Sequence, residues 1–410
     1  MQDVYSRAIC CIAATAAKDA DIGLFFDRDP HAQPPIRVFT SKARIHGRKA
    51  NQPLLAYVIP SPIVTSAMAI DNAPLNQRAW VAQERYLSTG TVHFTHELLF
   101  WECRQSFTSE QDPGGSFIER ATMQMEDSAV QTLKSNICDY KSQLAIASGS
   151  PTSVDRLKIL SRIHKDWCRF RTSYSGLSLT KEEDILVALN GIAHAVAGVT
   201  NDTLVAGLWR GRLIEDLCWR RHTKEWVHSI DEPPRPSTWR APTWSWASIN
   251  RIIEGRTMWW EHDCWLDFID EMVVIEDFVV DQKPSGQLVN ASLTLTCRLI
   301  PISPPDTGIW AWTPYKGTVG LDDCTITNAK DLGNEISLVV LRHFTYGEGG
   351  SIQGILVSPS RVKTGSYERL GYFESTAYAE PPDTSEERMR IVQSVLEGYN
   401  IARETTIELI

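Results

Sequence analysis

Leu75–Arg104 reads LNQRAWVAQERYLSTGTVHFTHELLFWECR, and its pattern sets the fold class. Leu75 to Ser88 carries a helical pattern, with Trp80, Gln83, Glu84 and Leu87 at i, i+3, i+4 and i+7 on one face. Gly90 breaks the helix, and Thr91–Phe94 and Leu98–Cys103 follow as two strands. A helix running into a strand pair predicts mixed α and β structure. Glu84 stands between Trp80 and Leu87, where the periodicity expects an apolar side chain. Arg78 lies six residues away on another face, so the partner of Glu84 must come from elsewhere or from a ligand. A carboxylate against an aromatic wall tends to have a shifted pKa or a task.

Upstream, Val4–Arg7 reads as a helical turn, and the apolar run Ala8–Ala17 as a buried strand ended by KDADIG. Asp27–Ala50 is a basic loop region. Ala50–Ile70 lacks charge, but Pro53, Pro60 and Pro62 and several polar residues interrupt it. A membrane span needs about 20 predominantly apolar residues, so this segment reads as a loop with short extended pieces.

Downstream, Ser106–Ser153 is polar and reads as a long surface connection. Ile185, Leu186, Leu189, Ile192, Ala193 and Val196 repeat at helical spacing, behind a capping box at Thr180-x-x-Glu183. Leu204–Arg221 is expected as a further helix. After Pro233, Pro234 and Pro236 the pattern turns to strands: Trp244-Ser245-Trp246, Met272–Val280, Leu288–Ile300, Ile336–Phe344 and Ile352–Ser358. Gly347-Glu348-Gly349-Gly350 suits a hairpin, and Glu386–Arg403 a closing helix. The expected class is α+β: a partial α/β domain at 1–105, a polar linker at 106–153, a helical region at 154–229 and a β-rich module at 230–410 with its terminal helix.

The chain has 410 residues and a formal net charge of −9, enough for two or three domains at roughly 150 residues each. The acidic balance argues against nucleic acid, whose phosphates need clustered Lys and Arg. Nine cysteines in irregular spacing, without a C-x-x-C pair, give neither a zinc ribbon nor a redox motif. No secretory leader pattern opens the sequence, so a reducing, cytoplasmic setting without membrane attachment is expected.

Other constellations weigh less. His93 and His96 sit three apart near a strand end, where side chains point to opposite faces, so no metal ligation is expected. His262-Asp263-Cys264 has no second ligand pair, and Gly114-Gly115-Ser116 lacks a placed His or Asp. Trp209 with Arg210 and Arg212, and Trp219 with Arg220 and Arg221, suit cation–π packing.

Three blocks carry a family resemblance: VYSRAICCIAATAAKDADIGLFFDRDP; the stretch quoted first; and DWCRFRTSYSGLSLTKEEDILVALNGIA with WRAPTWSWASI and GILVSPSRVKTGSYERLGYFE. Together they resemble fungal heterokaryon-incompatibility (HET) domain proteins. The strands that usually open such a domain do not precede Met1, so the chain reads as the second half of a HET domain with the family's C-terminal extension. Ser88-Thr89-Gly90 stands where the family usually has Ser-Pro-Arg.

The resemblance implies a role in fungal nonself recognition and programmed cell death, through protein partners or self-association and with no cofactor. HET domains are similar in topology to Toll/interleukin-receptor (TIR) domains, whose enzymatic members place a catalytic Glu four residues after a Trp. Trp80 and Glu84 have that spacing. By this analogy NAD is a substrate, Glu84 the catalytic carboxylate, and Trp80, Gln83 and Arg78 its substrate-binding neighbours. An inactive truncated paralogue is the remaining expectation.

Overall fold

The structure is a computed structural model that describes residues 2–27, 36–40, 44–45, 48–49, 54–58, 67–110, 128–147, 153–222, 235–250, 252–254, 269–302, 318–322, 335–346, 349–376 and 382–410. The triplets at 114–116 and 262–264 and the prolines at 233 and 234 lie outside these residues. Helices and sheets are mixed throughout, as expected of an α+β chain. The chain falls into two compact units, Met1–Gly149 and Ser150–Ile410. Among the described residues, no helix is long and apolar enough to cross a membrane.

In the first unit, helix α1 (Gln2–Arg7) leads to strand β1 (Cys11–Ala13). Helix α2 (Ala79–Leu87) is followed by strands β2 (Gly90–Phe94), β3 (Leu99–Cys103) and β4 (Phe107–Ser109), then by helix α3 (Ala129–Ala147). The sheet order is β1-β2-β3-β4, parallel only between β1 and β2. Thr95 closes the β2–β3 turn, its hydroxyl donating to the Leu98 carbonyl at 2.7 Å.

Four expectations in this unit are corrected. The buried strand over Ala8–Ala17 shrinks to three residues. Among the described residues it has only β2 as neighbour; its side chains alternate between faces, so Ile12 is exposed, as is Ile9 just before it. The helix expected from Leu75 is broken into a 3-10 turn, Pro74–Gln77, and α2. Arg78 between them is extended, because Asn76 and Gln77 turn back to donate to the Ile70 and Asp71 carbonyls. The presumed polar connection contains α3, whose Val130, Leu133, Ile137 and Leu144 are buried at helical spacing inside a polar composition. It also contains β4, which pairs with β3.

In the second unit, α4 (Ser153–Ser175), α5 (Ile185–Thr200) and the short α6 (Leu213–Asp216) precede the strands. The strands are β5 (Ile269–Glu271), β6 (Val274–Gln282), β7 (Leu288–Ile302), β8 (Thr318–Leu321), β9 (Ile336–Tyr346), β10 (Gly349–Pro359), β11 (Ser366–Thr376) and β12 (Glu404–Leu409). Helix α7 (Pro382–Ile401) connects β11 to β12. Pairing runs β5-β9-β10-β11-β12-β7-β6, and β7 also pairs β9, which closes a ring of five strands. On one face of the ring Ile300, Leu338, Val340, Ile352, Leu356 and Phe373 pack with Val392 and Val395 of α7. Burying each such side chain is worth roughly 1.5–3 kcal/mol. Gly354 is required there, since a Cβ would lie 2.5 Å from the Val339 carbonyl oxygen.

The expected helix over Leu204–Arg221 is instead a tight hairpin, Leu204–Val205 with Leu208–Trp209, then α6. Ala206 and Gly207 both have positive φ, 47° and 91°, which fits a two-residue turn of type I′. Trp244-Ser245-Trp246 is not a strand: Ser245 caps a 3-10 turn by accepting from the Ala247 N–H. Nor does the capping box form. Helix α5 starts at Ile185 without a side-chain cap, and Glu182 just upstream accepts from Ser237 and Asn250 instead.

Buried tryptophans build the joint between helices and strands in this unit. Trp219 donates to the Trp244 carbonyl at 2.9 Å, Trp246 to that of Gly207 at 2.8 Å, and Trp167 meets Trp209 edge-on. Trp219 is stacked by a guanidinium, as the sequence suggested, but by Arg369 of β11 rather than by its neighbours Arg220 and Arg221. Arg369 also donates to the Leu217 and Trp219 carbonyls and pairs with Asp322 at 3.0 Å.

Candidate functional site

Helix α2 is buried almost all round: Ala79, Val81, Ala82, Gln83, Arg85, Tyr86 and Leu87 are covered. Its one open edge carries Trp80 and Glu84, four residues apart and both half-buried. The expected shared face is therefore split. Trp80 and Glu84 remain accessible, whereas Gln83 and Leu87 turn inward. Arg78 is exposed at the junction before the helix.

Glu84 finds its partner on α1. Burial, followed by the hydrogen bond and negative charge of Glu84, pushes the Tyr5 phenol up to about 12. Cys11 of β1 lies on the same edge. Its burial and the Glu84 charge push the thiol up, against a hydrogen bond from Ser88. The Ser88 hydroxyl also donates to the Glu84 carbonyl at 2.7 Å and ends the helix. This half-open patch, formed by Tyr5, Cys11, Trp80 and Glu84, has one carboxylate and two groups held in their neutral forms.

Directly behind it lies a constellation that the sequence did not reveal. Arg85, the next residue of α2, donates through Nε to Glu102 Oε2 at 2.7 Å, and also pairs with Asp71 and bonds Ser128. Lys134 of α3 reaches Glu102 Oε1 at 3.4 Å and donates to the Arg85 carbonyl at 3.0 Å. Ser128 closes the loop by donating to Asp71 at 2.9 Å. Glu102 is wholly buried, and burial alone would raise its pKa; Arg85, His93 and Lys134 overcome this and hold the carboxyl well below the usual range. Burial lowers Lys134, against the pull of Glu102.

His93 of β2 completes the cluster. Its Nδ1 lies 2.9 Å from the Thr15 hydroxyl, while Nε2 is 3.5 Å from Glu102, too long for a good hydrogen bond. Burial lowers its pKa and favours the neutral ring. His96 is exposed and meets the Phe26 ring, so the two histidines do not converge. A usable signal was present: Glu102 shares strand parity with the buried Phe100, an inward position that calls for compensation. Lys134 was hidden by the reading of its segment as a connection.

Gly90, where the family pattern has Arg, lies under an indole. A Cβ there would come within 2.4 Å of the Trp101 ring. The sheet has one further feature. Strand β1 ends it, and among the described residues no strand covers its outer edge. Ile12 of β1 and Ile9 two residues before the strand are exposed by 64% and 93%.

The geometry describes a small α/β unit with a reachable carboxylate edge, a buried ion network and an open apolar strand. Residues 1–84, up to and including Glu84, match the family model described as heterokaryon incompatibility protein (HET). Strands β2–β4 and helix α3 continue the same unit beyond the match. No curated protein and no solved structure matches the chain.

Proposed function

We propose that the chain acts in fungal nonself recognition as a HET-type assembly module, triggering cell death through protein contacts rather than through turnover of a substrate. The open edge of β1 carries this reading. Unpaired strand edges recruit further strands, and the exposed Ile9 and Ile12 supply apolar side chains that such pairing would help bury. Glu84 braces α1 against α2 through Tyr5, which keeps that edge in shape. The partner is a second copy or another protein presenting an extended segment.

One observation favours a second reading. Trp80 and Glu84 share the accessible edge of α2, as a TIR-like NAD-cleaving site requires, and a carboxylate there could stabilise an oxocarbenium-like transition state. Against it, Gln83 is buried, so one of the supporting groups does not line that edge, whereas Arg78 at the helix start is close enough for its charge to act on Tyr5. Expression in an inducible fungal host separates the two. Assembly predicts death that persists in Glu84→Gln, is lost in Ile12→Asp, and leaves cellular NAD unchanged. Death with falling NAD, abolished by Glu84→Gln, would overturn it.

A further inference from the structure

A second cluster lies in the other unit. His164 and Cys168 are four residues apart on α4 and share a face, and Asp216 of α6 meets them. All three are buried, and one donor atom from each lies within 4.8 Å of the others. His164 Nε2 is 3.1 Å from Asp216 Oδ1 and 3.7 Å from Cys168 Sγ. A tetrahedral zinc site, with Zn–N and Zn–O near 2.0 Å and Zn–S near 2.3 Å, has ligand-to-ligand edges of about 3.3–3.5 Å. The two separations from His164 bracket those edges, and the Cys168–Asp216 pair lies within 4.8 Å.

The surroundings are those of an oriented ligand set. Glu215 is nine-tenths buried, and its Oε1 makes no hydrogen bond; it lies 3.6 Å from His164 Nδ1 and 4.0 Å from the Arg342 guanidinium. A metal-bound imidazole donates its remaining N–H to such a carboxylate. Asp216 Oδ2 accepts from the Trp209 N–H at 2.7 Å. Arg171 donates to Asp216 Oδ1 at 2.8 Å and lies 3.7 Å from Cys168 Sγ, where it would offset the charge of a thiolate. Arg212 holds the other oxygen of Glu215 at 3.0 Å.

The geometry points to a site for a divalent transition-metal ion of borderline softness, zinc by its mixed N, S and O donors, held by the three protein ligands His164, Cys168 and Asp216 with Glu215 orienting the imidazole. The ion would tie α4 to α6, and a water would take the fourth position.

The test uses the full chain with Cys10 and Cys11 replaced by Ser, since those neighbouring thiols offer a competing site. Zinc content after purification and a Co²⁺ titration are both read. Stoichiometric zinc and a thiolate-to-cobalt charge-transfer band are expected, with the band lost in Cys168→Ala and kept in Cys297→Ala. Absence of both zinc and the band, or a band that survives Cys168→Ala, would overturn the site. If Cys168→Ala does not fold, X-ray absorption of the zinc-loaded parent decides: a sulfur in the ligand shell supports the site, and a shell without sulfur removes it.

Discussion

The two units solve the problem of a core in different ways. Around the α2 sheet, the apolar cluster is small, comprising Ala69, Ile70, Leu98 and Phe100, and the interior beside it is filled by Arg85, Glu102, His93 and Lys134. In the second unit the strand ring and α7 enclose a larger cluster of branched aliphatic residues. An aliphatic core gains from every methylene it buries. A buried ion network roughly balances desolvation against attraction, and becomes costly when one member is removed. In the first unit a buried ion network links α2, β3 and α3. The strand ring of the second closes on aliphatic packing, with its own buried ion pairs, such as Arg369 with Asp322, outside that cluster.

The sharpest way to break this contrast is Glu102→Ala. It leaves Arg85 and Lys134 buried without their shared counter-ion, and a loss of about 3–5 kcal/mol is expected. A two-probe denaturant melt should show the first unit unfolding early while the second keeps its midpoint. Leu356→Ala should do the reverse, destabilising the ring by about 2–5 kcal/mol through a cavity. Gly354→Ala comes next: its methyl group meets the Val339 carbonyl, and overpacking of this kind costs about 1–3 kcal/mol.

Acid sharpens the comparison further. The folded-state pKa of Glu102 is depressed, so its contribution is present above the unfolded value, about 4.3, and is lost as pH falls toward the folded one. His93 is also lowered. The unfolded chain takes up that proton near pH 6.5 while the folded one resists, so its contribution erodes as pH drops below about 6.5. Both signs agree: the first unit should lose stability as pH falls below about 6.5 through His93, and further below about 4.3 through Glu102, read as a falling midpoint. The smallest effect is expected for Glu84→Gln. This half-buried residue should cost under about 1 kcal/mol, with the Tyr5 phenol titrating at lower pH by ultraviolet absorbance.

Much of the ring was legible because its strands are long and rich in branched residues. Ile336–Tyr346 and Gly349–Pro359 lie where the pattern put them, and they pair antiparallel with Tyr346 opposite Gly349. Elements set by tertiary contact were not. Helix α3 hides four inward residues in a polar stretch, and the turn at Ala206-Gly207 exists because Trp246 occupies the space over Gly207. For the site, spacing placed Trp80 and Glu84 on one edge correctly. It could not show that Gln83 would turn inward, or that Arg78 would leave the helix once Asn76 and Gln77 bonded backward. Arg85 and Glu102 are separated by 17 residues, and only the fold brings them together.

The central claim is that this unit works through contact and not through turnover. Its most direct test is to incubate the purified chain with NAD and measure nicotinamide release over hours, alongside Glu84→Gln. No release above a protein-free control is predicted for either protein. Release by the parent that disappears in Glu84→Gln would contradict the account and make the edge of α2 an active site.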